Sequence, residues 1–353
     1  MSDVKRMRRP ERNDFLFSIK SCYQSGYNYI AEPNKVYAEP LYYCDVKSMY
    51  SYVLLHCLYP TIAVPPVHKE GFYKHSLALY HVNELKAKVK RNHFPTIFSQ
   101  KETQERMGLS NNTDFHWKRT NQMLGWITSI DYEMLCRDYD ISTIQIDETY
   151  YYLSAKSGEL IFGDKIQHYF DQKEAATDPY ERQAYKGLIN SYSGSIGMVL
   201  NCGYKVDSLT EPSSITPLED SNEDLNPWDL SAFMTAYARQ YITELALLAG
   251  YENVACISTD AVVVKDVSPL NPYIGEKMGD LSIDRVMHNT KWWRINTYEW
   301  YDGSGVWNAK IAGLPHWRYK EGKTFFITPK LLYNSKKRTY NVNYQSFNLE
   351  EDF

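Results

Sequence analysis

The chain has 353 residues, 43% hydrophobic and 23% charged, which allows one large domain or two to three subdomains with ample core. Its formal net charge of −4 neither requires nor excludes nucleic acid, because such binding depends on local basic grooves. No run of about 18 apolar residues exists to span a membrane, and six scattered cysteines (Cys22, Cys44, Cys57, Cys136, Cys202, Cys256) without a CxxC pair argue against a structural zinc site or a disulfide framework.

The start, MSDVKRMRRPER, is polar and basic and lacks the apolar centre of a signal peptide. It reads as a tail or, less simply, as a phosphate-contacting arm. Tyr23-Gln24-Ser25-Gly26 follows, where small residues allow a close backbone approach or a plain turn. Leu41 to Val46 is an apolar, aromatic run that predicts a buried strand ending in one carboxylate, Asp45. Ser51 to Leu58 suits a helix. A strand-end carboxylate can hold a divalent metal, or simply cap a turn.

Residues 81–91, HVNELKAKVKR, alternate and predict a strand with Lys86, Lys88 and Lys90 on one face. A lysine-studded edge strand fits, as does a DNA contact. Residues 100–120 read as a polar protruding insertion. Asp131 to Asp140 is predicted helical, and Ile141 to Leu153 as paired strands.

Asp178-Pro179-Tyr180-Glu181 is a strong helix start: Asp at the N-cap, Pro at N1 and Glu at N3. Arg182, Lys186 and Asn190 then recur at four-residue spacing and share a face. Two cations and an amide on one rigid helix suit a triphosphate, although a solvated face is the commoner use of such a pair. The small, polar Ser191-Tyr192-Ser193-Gly194-Ser195 predicts that the helix stops abruptly there. Residues 201–227 are turn-rich and acidic, an excursion rather than core. Asp229 to Leu248 is a helix containing Arg239. Val254 to Val264 predicts two β-branched strands with Asp260 at the tip of their turn. The aromatic and basic stretches near Trp292 and Lys310 fit either core or a surface that grips a nucleic-acid backbone.

Two strand-end carboxylates and a helix of cations, in this order, form the arrangement of a two-metal nucleotidyl transferase. The sequence also resembles the family B DNA polymerases, above all the protein-primed enzymes of tailed bacteriophages. Asp45-Val46-Lys47-Ser48-Met49-Tyr50 resembles the first palm motif, DxxSLYP. Lys186 to Gly194 resembles KxxxNSxYG of the fingers, and Ser258-Thr259-Asp260-Ala261 resembles the DTDS motif. Tyr23 to Gly26 is similar to the YxGG element, Thr235 to Arg239 to the helix before the third motif, Thr297-Tyr298 to KxY, and Lys310 to Gly313 to an early thumb element. Phe94-Pro95-Thr96-Ile97 resembles the start of the first terminal-protein region.

The resemblance implies an α+β, right-hand polymerase fold with palm, fingers and thumb. It divides the chain into an N-terminal segment at 1–30, palm at 31–93, a terminal-protein-region insertion at 94–125, palm at 126–160, fingers at 161–197, a second such insertion at 198–227, palm at 228–300 and thumb at 301–353. Asp45 and Asp260 are the implied catalytic carboxylates, holding two Mg²⁺ ions (Mn²⁺ as substitute) with the Val46 carbonyl. Tyr50, Arg182, Lys186 and Asn190 are implied at the incoming nucleotide, with Tyr50 excluding a 2′-hydroxyl. Tyr23, Gly26, Ser191, Gly194, Arg239, Thr297, Tyr298 and Lys310 are implied at the DNA. Implied partners are a DNA template and primer and dNTPs, in the cytoplasm of a host cell; a terminal protein primer is one priming mode left open, and proofreading is either on a separate exonuclease chain or absent.

Departures are specific. Ser258 replaces the first Asp of DTDS, Ser193 the motif tyrosine and Asn296 the lysine of KxY, and no proline follows Tyr50. The resemblance also places only the polymerase half of such enzymes in this chain, without their exonuclease domain. The departures leave a second reading, a catalytically impaired nucleic-acid-binding subunit derived from a polymerase. Retention of Asp45, Asp260, Arg182 and Lys186 argues for the enzyme.

Overall fold

A computed structural model describes residues 22–61, 64–96, 114–118, 125–196, 204–206, 215–217, 228–294, 296–311, 325–334 and 339–348. In chain order the first elements are β1 (Asn28–Ile30), β2 (Val36–Tyr37), β3 (Leu41–Val46), α1 (Met49–His56), β4 (Leu58–Pro60), β5 (Val67–Glu70), β6 (Ala78–Val89), β7 (Asp114–Lys118) and β8 (Trp126–Thr128). They are followed by α2 (Ser129–Asp138), β9 (Tyr139–Tyr151), β10 (Ala155–Ser157), α3 (Gly158–Ala175), α4 (Pro179–Ile196), β11 (Tyr204–Val206), β12 (Ile215–Pro217) and α5 (Trp228–Ala249). The chain closes with β13 (Val254–Ser258), β14 (Ala261–Val264), β15 (Leu281–Arg294), β16 (Thr297–Tyr301), β17 (Trp307–Ile311), β18 (Phe325–Asn334) and β19 (Thr339–Asn348). Two compact units result: 1–29 with 44–198 and 224–283, and 30–43 with 199–223 and 284–353.

In the first unit, β5, β9, β6 and β7 form one sheet, with β8 also paired to β6. Its apolar face includes Tyr80, Val82, Leu85, Ile127 and Tyr139, packed with Met134 and Leu135 of α2. Thr128 and Asp131 form a capping box at the start of α2, so orphan amides of the first turn are satisfied. The α5 helix is buried along most of its length (Leu230, Phe233, Ala236, Ile242 and Leu245 are all core residues).

In the second unit, β2, β15, β16 and β17 pair antiparallel. Trp292 is buried there against Tyr37 and Tyr298. The Arg285 guanidinium lies 4.0 Å from the Tyr43 ring centroid and 5.0 Å from that of Trp300. The backbones of β18 and β19 form a ten-residue antiparallel ladder.

Three expectations are corrected. Residues 141–153 are not a pair of strands: β9 is one continuous strand of 13 residues, partnered by β6 and β5. Its irregularities against β6 are bulges rather than turns, so the strand bends without doubling back. The strand bearing Lys86 and Lys88 is interior to the sheet, with β9 on one side and β7 and β8 on the other. Its lysines remain exposed because alternate residues project from the outer face. Finally, α4 continues through Ser191 and Gly194 to Ile196. The serines do not end it; the Ser191 hydroxyl donates to the Leu188 carbonyl one turn back, at 2.7 Å.

Candidate active site

The last residues of β3 and the β13–β14 hairpin meet through main-chain bonds. The Val46 N–H donates to the Asp260 carbonyl at 2.8 Å, and the Lys47 N–H to the Asp280 carbonyl at 2.9 Å. The Ser282 hydroxyl donates to the Asp45 carbonyl at 3.4 Å. Both carboxylate-bearing positions are therefore neighbours on a frame of fully buried strand residues such as Cys44, Ile257 and Val262.

The hairpin turn is tight. The Asp260 N–H donates to the Ser258 carbonyl at 2.6 Å, closing a γ-turn over Thr259. Thr259 has φ of 56° and Ser48, just before α1, has φ of 51°. Positive φ in a β-branched residue is uncommon and needs surrounding support. Thr259 receives it from the Tyr27 carbonyl, which accepts its N–H at 2.8 Å.

The 23–26 segment packs on this frame. A Cβ on Gly26 would come within 2.5 Å of the Thr259 methyl and 3.0 Å of the Tyr50 hydroxyl, so only glycine fits. Tyr50 is thereby pressed among Gly26, Thr259 and the Asp260 charge. Burial first, and then the Asp260 carboxylate, push its phenol up to about 12, against an opposing pull from Arg239. Tyr23 is partly exposed and meets the Trp228 ring edge-on.

Arg239 reaches the same loop from beneath. It is buried, donates to Asp131 at 2.7 Å, and donates to the carbonyls of Gln24 at 2.8 Å and Ser25 at 3.3 Å. Expected at the DNA, this guanidinium instead ties α5, the cap of α2 and the 24–26 loop together.

The α3–α4 hairpin supplies cations. Asp178 starts α4 as predicted, its carboxylate accepting the Tyr180 N–H at 3.2 Å. Arg182, Lys186 and Asn190 are exposed along α4, with Ser191 and Gly194 exposed beyond them. Arg182 pairs with Glu174 of α3 at 3.2 Å. Burial raises the Glu174 carboxyl, but the hydrogen bond and charge of Lys173, joined by Arg182, win and hold it below its usual range.

Lys173 itself escaped the sequence reading. Its side chain is almost buried, with Nζ 3.4 Å from the Ser48 hydroxyl, 2.9 Å from Glu174 and 4.5 Å from the centre of the Phe170 ring. A cation is thus placed against the turn that follows Asp45. A lone lysine late in an amphipathic helix gives no signal; only the fold brings it to a residue 125 positions away.

The second unit holds the remaining expected DNA contacts. Thr297 and Tyr298 are buried in β16, and Tyr298 accepts from Arg285 at 3.2 Å. Lys310 is half-buried in β17, opposite Tyr298. Ser193, Ile97 and the loop tips of both expected terminal-protein insertions lie outside the described residues or side chains.

Carboxylates on two adjoining strand ends, a half-buried tyrosine beside one of them and a cation-bearing helical hairpin define a polymerase palm with fingers. The chain matches the family of DNA polymerases type B, organellar and viral, over residues 6–258, and it belongs to that family. It is 27% identical over 238 residues to a DNA polymerase of Streptococcus phage Cp-1, covering 64% of this chain and 41% of that one. Among solved structures it is similar to the phi29 DNA polymerase bound to single-stranded DNA (TM-score 0.74, 16% identity, 99% of this chain and 64% of that one). It is likewise similar to the phi29 ternary complex with primer-template DNA and incoming nucleotides (TM-score 0.74, 17% identity, 99% and 65%). These likenesses establish the right-hand polymerase fold. The chain spans about two-fifths of the Cp-1 enzyme's length and somewhat under two thirds of the phi29 chains.

Proposed function

We propose that this chain carries out template-directed DNA synthesis with dNTPs on a primer-template, in phage genome replication within the host cytoplasm. The observation that carries the reading is the Val46–Asp260 main-chain bond, which seats two carboxylate-bearing strand ends side by side. Family membership and the similarity to phi29 DNA polymerase complexed with primer-template DNA support it. Protein priming is part of the proposal, on the strength of the similarity to phage enzymes.

The donor set fits hard divalent cations. The carboxylates of Asp45 and Asp260, with the Val46 carbonyl, offer oxygen only, as Mg²⁺ prefers, and a family that uses divalent metals needs such a set. When bound, two ions would lower the pKa of the primer 3′-hydroxyl and neutralise charge on the leaving pyrophosphate.

The remaining steps belong to side chains. Arg182 and Lys186 meet the triphosphate charge, and Lys173 adds a third cation from the adjacent helix. Asn190 lies beyond the cations, at the base or sugar. The half-buried Tyr50 ring, backed by Gly26 and Thr259, presents a face to the sugar and excludes a 2′-hydroxyl. Its phenol stays protonated throughout the working pH range, so it serves as a wall and hydrogen-bond donor.

Primer extension with purified protein, Mg²⁺ and four dNTPs tests this beside Asp45→Ala/Asp260→Ala. Extension by the wild type alone is expected. DNA binding without extension in either Mg²⁺ or Mn²⁺ would instead identify an inactive binding subunit.

A further inference from the structure

A second cluster of ligating side chains lies in the five-stranded sheet of the first unit. Glu70 of β5 is in register with Glu148 of β9, Glu148 with His81 of β6, and His81 with Trp126 of β8. Cross-strand partners project from one face. The row therefore sets two carboxylates and an imidazole side by side. Like charges directly opposite destabilise a sheet unless something offsets them.

Strict alternation would turn Asp147 to the other face. A bulge prevents this: His81 pairs with Glu148 while Val82 pairs with Ile146, leaving Asp147 as the extra residue. Bulges re-aim side chains, and here the Asp147 carboxylate bonds to His81 Nδ1. Main-chain bonds hold the irregularity on both sides. The Gly71 N–H donates to the Asp147 carbonyl at 2.7 Å, and the Val82 N–H to the Gly125 carbonyl at 2.6 Å.

The imidazole is fixed in turn. His81 is 2% exposed, its ring centre 4.9 Å from that of Trp126. A Cβ on Gly125 would fall 2.5 Å from Nε2, so the backbone walls off that nitrogen and leaves Nδ1 towards the carboxylates. One ligand atom from each of His81, Asp147 and Glu148 lies within 4.8 Å of the others. His68 Nε2 is 3.3 Å from Glu148 and lies beside this group of three as a further donor.

We propose that His81, Asp147 and Glu148, with His68 as fourth ligand, bind one zinc-type divalent ion that staples β5, β6 and β9 together. Mixed imidazole and carboxylate donors suit Zn²⁺ and Co²⁺ better than Mg²⁺. The absence of CxxC pairs bears only on cysteine-based sites. This site does not depend on the polymerase reading, since none of its residues belongs to the Asp45–Asp260 frame.

The test uses the full chain, free of a polyhistidine tag, carrying Asp45→Asn/Asp260→Asn so that the palm carboxylates do not compete. Cobalt titration followed by visible absorption is expected to show one equivalent bound, with the intense bands of a four-coordinate site. Adding Asp147→Asn/Glu148→Gln, both at partly exposed positions, should weaken that binding by more than about tenfold. Zn²⁺ should raise the thermal midpoint of the parent and not of this variant, with circular dichroism unchanged in the absence of metal. No saturable cobalt binding in the parent, or binding untouched by Asp147→Asn/Glu148→Gln, overturns the proposal and leaves an ordinary Asp–His hydrogen bond.

Discussion

The Val46 N–H donates to the Asp260 carbonyl across 2.8 Å. The joint between β3 and the β13–β14 hairpin is therefore main-chain, and substituting either carboxylate leaves that bond in place. Asp45→Asn and Asp260→Asn should each lower kcat for nucleotide addition by at least about 10³-fold, since each removes charge from a metal-binding set. Thermal unfolding of either variant should match the wild type to within about 0.5 kcal/mol. A large stability loss would mean that the carboxylates are architectural.

Gly26 is the tightest point of the frame. Gly26→Ala places a methyl 2.5 Å from the Thr259 methyl and 3.0 Å from the Tyr50 hydroxyl. Overpacking of this kind costs about 1–3 kcal/mol. Gly26→Ala/Thr259→Ser, which deletes the clashing methyl, should recover part of the loss. A double-mutant cycle by denaturant unfolding reads the coupling, expected above about 0.5 kcal/mol. Additive effects would show that the contact is not the source.

Arg239 and Asp131 are 3% and 1% exposed and bond at 2.7 Å. Removing one partner leaves an uncompensated buried charge, so Arg239→Met or Asp131→Asn should cost about 3–5 kcal/mol. DNA affinity of the surviving folded protein should keep its salt dependence, because a buried guanidinium releases no counterion. A shallower salt slope for Arg239→Met would instead return this residue to the DNA.

Local chemistry made much of this legible. Asp178 and Pro179 mark the start of α4, because a cap and a ring-fixed φ act within one turn. The β-branched runs around Asp260 give β13 and β14 for the same reason. What was hidden depends on contacts distant in sequence. Lys86 and Lys88 look like edge residues until β7 and β9 are placed on both sides of their strand. The bulge at Asp147 exists only relative to β6, and Arg239 reads as a DNA contact until Asp131 is found beneath it. The serines after Asn190 mislead because small polar residues suit a helix end and also its last turns.

Tyr50 gives the fold a pH dependence at the alkaline end. Its phenol is held at about 12 by burial and by Asp260, above the value near 10 of an unfolded tyrosine. Between these values the folded state keeps a proton that the unfolded state has lost, so stability falls as pH rises through this window. The contribution is intact below about pH 10 and lost above about pH 12, worth up to roughly 2 kcal/mol. Tyr50→Phe should flatten the stability curve between pH 10 and pH 12, as followed by denaturant midpoints. Tyr241, also raised to about 12, retains its share in that variant, so the slope should be reduced rather than abolished.

Lys173 separates a binding role from a packing one. Its ammonium stands 3.4 Å from Ser48 and 2.9 Å from Glu174, on the helix that also orders Arg182 through the same glutamate. Lys173→Met keeps the apolar stem along Phe170 and deletes the charge. If the ammonium meets the triphosphate, KM for dNTP should rise about tenfold or more, one charge-assisted hydrogen bond's worth, while primer-template affinity is unchanged. If it serves only to hold α3 against the Ser48 turn, the thermal midpoint should fall and KM should stay as it was. Lys173→Arg distinguishes the two further: a longer cation can still reach phosphate, so it should recover KM in part, whereas the forked guanidinium does not fit the same nearly buried space beside Ser48.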